Sequence, residues 1–208
     1  MVRPPARPRG RWAQRLLAFL AYPANLALAG LAGFLLALPV VTWLVAWIAA
    51  GRAMHAWLAE GDQRAFVNTF REFAAVWRRS LPVSVPATVV VTVLSVNLLF
   101  LGSQDTPVAF LFGAATIPVA AGVALVALML PAAAAIEPDA RMRQWLRGAV
   151  ALAAARPLRS LLLLAIVAAF GATCTLLPTI VPFFGVSLPV WLALETATRS
   201  TPQRDDRG

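Results

Sequence analysis

The chain has 208 residues, of which 60% are hydrophobic and 13% charged, and its formal net charge is +9. Soluble domains are roughly half apolar and a quarter charged, so a water-soluble fold of this size could not hide this much apolar surface. All 18 basic residues are arginine and fall in clusters between long uncharged stretches, which excludes a soluble globular fold and points to an all-α polytopic transmembrane helix bundle.

The head, residues 1–15, is rich in proline and arginine and has nothing with which to build a core, so it is expected to be a disordered basic cytoplasmic arm. Its five arginines, from Arg3 to Arg15, read as topology determinants. Anionic lipid head groups are their natural neighbours, and nucleic acid is the disfavoured reading of such a tail. A basic start before an apolar run also resembles a secretory signal, but this run is too long and no soluble domain follows it.

Uncharged runs of 36 residues (Arg15 to Arg52), 25 (Arg79 to Asp105), 31 (Asp105 to Glu137) and 35 (Arg159 to Glu195) come next. Each exceeds the ~20 residues a helix needs to cross a bilayer. The two longest, as straight helices, would reach roughly 50 Å, far beyond a hydrocarbon core of about 30 Å. Pro39 breaks the first, and Pro178 and Pro182 break the last, so each is expected to be a hairpin of two short helices. The spacing predicts six crossings, at about 16–37, 40–58, 81–101, 107–131, 159–177 and 183–198, inside a single transmembrane domain of residues 16–198. Pro118 and Pro131 mark kinks or end points in the fourth. With six, every arginine falls on one side or at its edge, Arg52 snorkelling, and both termini are cytoplasmic. Five crossings, with 24–50 as one helix, are the alternative and would put five arginines outside against 13 inside. Residues 199–208 are expected to be a disordered cytoplasmic tail. Arginine without lysine in an alanine-rich chain suits a GC-rich bacterial genome, so the expected location is the bacterial inner membrane.

Between the second and third crossings, Phe66, Phe70, Phe73 and Trp77 recur at helical spacing, while Arg64, Arg71 and Arg78 recur every seven residues on the far side. This predicts an interfacial amphipathic helix at about 64–80, aromatic face toward the membrane. The competing reading packs the same stripe against neighbouring helices as core. Phe66, Phe70, Phe73, Trp77, Arg71 and Arg78 are accordingly the candidate partner-docking residues. The second polar loop, 137–159, contains Trp145 and has a weaker amphipathic pattern. Each loop ends in Arg-Ser-Leu, at Arg79-Ser80-Leu81 and Arg159-Ser160-Leu161, which hints at a parallel duplication.

Chemistry is sparse. No phosphate loop, HExxH zinc motif or nucleophile elbow occurs. The only histidine, His55, is read as an interfacial side chain rather than a proton relay, and the only cysteine, Cys174, as apolar filler. No catalytic residue, cofactor or metal site is assigned. Asn25, Thr42 and Asn97 are the polar membrane positions of interest. Hydrogen-bonded links between helices are their default role, and a polar path through a small permease or channel-like carrier is the alternative.

The stretch from Asn25 through Leu38-Pro39-Val40-Val41-Thr42, Ala49, Ala50 and Arg52, the Glu60-Gly61-Asp62 turn, and the aromatic run Phe66, Phe70, Phe73, Trp77 ahead of Arg79 resembles the YesL-like family of bacterial integral membrane proteins. The family commonly has a small-residue run after the Pro-x-x-Thr element, where this chain has Trp43-Leu44-Val45-Ala46-Trp47. The resemblance implies an accessory role beside carbohydrate ABC transporters and no catalytic residues. The expected function is therefore a non-enzymatic accessory or scaffold protein. Its expected partners are the lipid bilayer, a membrane protein such as ABC transporter subunits, or a second copy of the chain, and no nucleic acid.

Overall fold

The computed structural model describes the backbone of residues 11–61 and 64–198 and the side chains of 21–59, 61 and 64–197. The first ten residues and the tail from 199 onward, expected to be disordered, lie outside the described residues. Among those described, the chain is all-helical. The helices are α1 (Arg11–Ala37), α2 (Trp43–Glu60), α3 (Ala65–Gly102), α4 (Pro107–Ile136), α5 (Met142–Ala155), α6 (Pro157–Leu176), α7 (Val181–Phe184) and α8 (Ser187–Thr198). Residues 11–15 are helical, so the last part of the expected arm belongs to α1.

The ends of these helices follow from local chemistry. α2 stops at Gly61, which takes a left-handed φ of 73° and donates its N–H to the Trp57 carbonyl at 3.0 Å, the close that only glycine adopts cheaply. α4 starts where the Thr106 hydroxyl accepts the Ala109 N–H at 3.2 Å and Pro107 fills the first helical position. Pro157 separates α5 from α6. The breaks expected at Pro39 and around Pro178 and Pro182 are present, each with a short 3-10 turn. α4 instead runs unbroken through Pro118 and Pro131. Within a helix bundle, neighbouring helices and local adjustments accommodate such prolines.

α2 is the axis of the molecule. Leu44, Val45, Ala46, Ile48, Ala49, Ala50, Ala53, Met54 and Trp57 are all buried, covering every side of the helix. α1, α3, α4 and α8 pack around it. Close approach rests on small residues, as in other membrane bundles. A Cβ on Gly51 would come within 2.6 Å of Pro131 on α4, and one on Gly30 of α1 within 1.7 Å of the Phe183 carbonyl oxygen. Tyr22, Trp57 and Trp191 gather α1, α2 and α8 at the opposite end from the Pro39 turn, with ring centroids 4.8 and 6.5 Å apart.

Outside this core the apolar residues face outward. The distal half of α3, the first half of α4 and nearly all of α6 are exposed, with Leu99, Phe110 and Leu158 at 75%, 79% and 80%. Contiguous apolar surface on this scale is foreign to a soluble monomer. Among the described residues, three helices, α3, α4 and α6, are long and apolar enough to cross a membrane, and four if the pair formed by 178–184 and 187–197, bent by 49°, counts as one.

Two expectations need correction. The helix at about 64–80 is not a separate element, because it continues without a break into the following span as the 38-residue α3. The two Arg-Ser-Leu units also differ in build: the first lies in the interior of continuous α3, whereas the second lies at the beginning of α6, just after the Pro157 break. Ser160 donates to the Ala153 carbonyl at 2.9 Å, while the buried Ser80 hydroxyl has no partner among the described residues.

Gly51→Ala should force α2 away from Pro131 and destabilise the bundle by about 1–3 kcal/mol, the usual cost of overpacking. Gly122→Ala, which meets open space, should leave thermal unfolding in detergent unchanged.

Candidate docking face and arginine junction

The first turns of α3 carry two faces. Ala65, Thr69, Val76 and Ser80 are buried and form the side toward the bundle. The aromatic stripe is displaced from it by about one residue, or ~100° around the helix. It therefore neither turns fully inward nor lies wholly free. Phe66 and Phe73 are half-buried, and Phe73 packs against the core beside the cluster of Val76 and Trp145. Phe70 and Trp77 are exposed, at 37% and 40%, with Arg71 and Arg78 exposed alongside them. Phe66 and Phe70 lie 5.2 Å apart, and the Arg78 guanidinium stands 5.6 Å from the Trp77 ring centroid. Of the six candidate docking residues, Phe70, Trp77, Arg71 and Arg78 thus share an accessible surface, and Phe73 belongs to the packing.

Behind this face is a junction of charged and aromatic groups from four segments. Arg52 of α2 donates to Glu72 of α3 at 2.5 Å and to the Pro138 carbonyl, between α4 and α5, at 2.8 Å. Arg79 of α3 donates to the same carbonyl at 3.1 Å and lies over the Trp145 ring of α5 at 4.6 Å. Trp145 in turn donates its indole N–H to the Glu137 carbonyl at 2.7 Å. Two guanidinium groups on one carbonyl repel each other, and Glu72 offsets part of that repulsion. Stacking of Arg79 on Trp145 adds a contribution of about 0.5–2 kcal/mol.

The junction holds the loop after α4, so α5 is fixed where its amphipathic pattern requires. Met142, Trp145 and Ala149 are buried at spacings of three and four, and Arg143 and Arg147 face outward. The pattern expected to be weak in 137–159 is thus a well-formed amphipathic helix. Sequence reasoning missed the junction because the partners of Arg52 lie 20 and 86 residues away. The one signal was Glu72, an isolated acid in an arginine-rich, aromatic segment.

The three polar membrane positions do not come together. Thr42 turns back on its own turn, donating to the Leu36 carbonyl at 2.6 Å. Asn97 reaches Thr116 at 3.3 Å, joining α3 to α4. Asn25 is buried on α1 near Leu26 and Ala29. The largely apolar cavity of about 430 Å³ between α2, α3 and α4, lined by Trp43, Leu44, Ala87, Gly122 and Leu130, includes none of them. His55 shares a cleft of about 320 Å³ with Glu195.

Arg52→Gln and Glu72→Gln, whose side chains keep only 15% and 29% of their exposure, should each lower stability by about 1–3 kcal/mol. A double-mutant cycle on detergent-solubilised protein should return a coupling of about 0.5–3 kcal/mol, the signature of a direct contact.

Compared with known proteins, the chain matches no family model, no curated protein and no solved structure, so its functional reading rests on its own residues.

Proposed function

We propose that this protein is a non-enzymatic accessory or scaffold protein of the bacterial inner membrane, with both termini cytoplasmic, which docks a partner through the exposed side of the first turns of α3. The observation that carries this reading is the surface of Phe70, Trp77, Arg71 and Arg78, held on a helix whose opposite side is fixed by the core and by the Arg52–Glu72 pair. Exposed aromatic residues interleaved with arginine are the composition enriched where proteins bind one another. A rigid helix presents them without an ordering cost at binding.

In this arrangement α3, α4 and α6 cross the membrane and the bent pair ending in α8 returns the chain. The arginines of the α2–α3 and α4–α6 regions then share the cytoplasmic side, as the positive-inside rule asks. The resemblance to the YesL-like family, carried by the residues between Asn25 and Phe100, adds a component of a carbohydrate ABC transporter as the class of partner. A carrier reading draws no comparable support, because Asn25, Thr42 and Asn97 are separated and each has local surroundings of its own.

Replacing Phe70 and Trp77 together by alanine should abolish recovery of the partner after crosslinking in native membranes, with membrane insertion and thermal stability retained. Phe73→Ala should instead lower stability, since Phe73 packs on the core. Unchanged crosslinking by the double variant would remove the docking assignment.

A further inference from the structure

The α1–α2 hairpin is much shorter than the α3–α4 hairpin beside it, and the two are in register at known points. The Ser84 hydroxyl of α3 donates to the Val41 carbonyl in the turn between α1 and α2, and the Trp43 indole at the start of α2 donates to the Thr88 hydroxyl at 3.0 Å. The turn therefore lies level with Ser84 to Thr88. From there α3 runs on for 14 to 18 residues to Gly102, which is ~21–27 Å at the helical rise of about 1.5 Å. Over that length α3 pairs with α4 through Asn97 and Thr116 and is clothed in exposed Val93, Leu99 and Phe100, and α4 beside it exposes Phe110 and Leu111. That surface needs hydrocarbon, and a hydrocarbon core is only about 30 Å thick. With the α3–α4 tip at the far face, the α1–α2 turn lies ~3–9 Å inside the near one.

The other end of the scale agrees. Arg79, exposed and five to nine residues before the Ser84–Thr88 level, falls ~7.5–13.5 Å below the turn along α3, where a charged group can reach water.

The chemistry of the turn provides a second, independent argument. Leu38, Val40 and Val41 are 60%, 65% and 41% exposed, and residues 38–41 contain no polar side chain. Turns in water favour Gly, Asn, Asp and Ser. Backbone in hydrocarbon must instead find its hydrogen bonds within the protein. Here the carbonyls of Leu36, Leu38, Pro39, Val40 and Val41 all accept one, from the Thr42 hydroxyl, the Val40 and Thr42 N–H groups, the Trp43 N–H and the Ser84 hydroxyl.

We propose that α1 and α2 form a re-entrant hairpin, entering and leaving by the arginine-bearing face, with Leu38, Val40 and Val41 against the acyl chains of the near leaflet. The arginines preceding α1 and those following α2 stay on one side, so the charge distribution is the same as for two full crossings. Helix register decides between them.

The test uses the full chain with Cys174→Ser and a single new cysteine, either Val40→Cys in the turn or Ser103→Cys at the α3–α4 tip. A membrane-impermeant maleimide applied from the far side should label Ser103→Cys, with loss of labelling at Val40→Cys. A nitroxide on Val40→Cys in reconstituted vesicles should be relaxed by dissolved oxygen and not by a water-soluble nickel chelate. Labelling of Val40→Cys from the far side, or relaxation by nickel in place of oxygen, overturns the proposal. So does a Ser103→Cys that stays silent from that side, because the depth scale then fails. None of these signals depends on partner docking, so failure of the docking reading leaves them unchanged.

Discussion

Arg52 sits on the most buried helix of the molecule, and a guanidinium taken largely out of water needs both a counter-charge and hydrogen-bond acceptors. Glu72 and the Pro138 carbonyl provide them, and the rest of the arrangement depends on this requirement. Reaching Glu72 sets the register of α2 against α3. Reaching Pro138 pins the loop after α4 and, through Arg79 and Trp145, seats α5. A short helix with a charge near its middle thereby becomes the axis of a bundle.

The same packing divides the molecule by surface chemistry. Around α2, glycine and alanine let backbones approach within contact distance, so little side-chain volume separates α1, α2 and α4. Beyond α2 the large residues of α3, α4 and α6 point outward, where lipid can supply their contacts. The base of the bundle is protein-packed and arginine-rimmed, and its projecting hairpin is apolar on the outside. The docking surface proposed for the first turns of α3 would lie on this protein-packed part, close to the arginine rim.

Much of the fold was legible from charge spacing alone. Long uncharged runs locate the apolar helices, and proline accompanies the breaks at Pro39 and near Pro178, whereas at Pro118 and Pro131 the helix absorbs the same ring. The aromatic stripe at 66, 70, 73 and 77 is likewise readable as helical periodicity. Which of those aromatics would be accessible was not readable. A rotation of only about 40–60° around α3 separates Phe73, packed on the core, from Phe70 and Trp77, and that rotation is set by what α2 and α5 place opposite.

The sequence by itself determined the all-helical class, the membrane-compatible apolar helices and the clustering of arginine, since these follow from composition and short-range spacing. Only the tertiary structure decided that 65–102 is one helix, that Arg52, Glu72, Arg79 and Trp145 meet, and how far the Pro39 turn reaches along α3. Those facts depend on partners tens of residues apart, brought into register by side-chain contacts to which local hydropathy is blind.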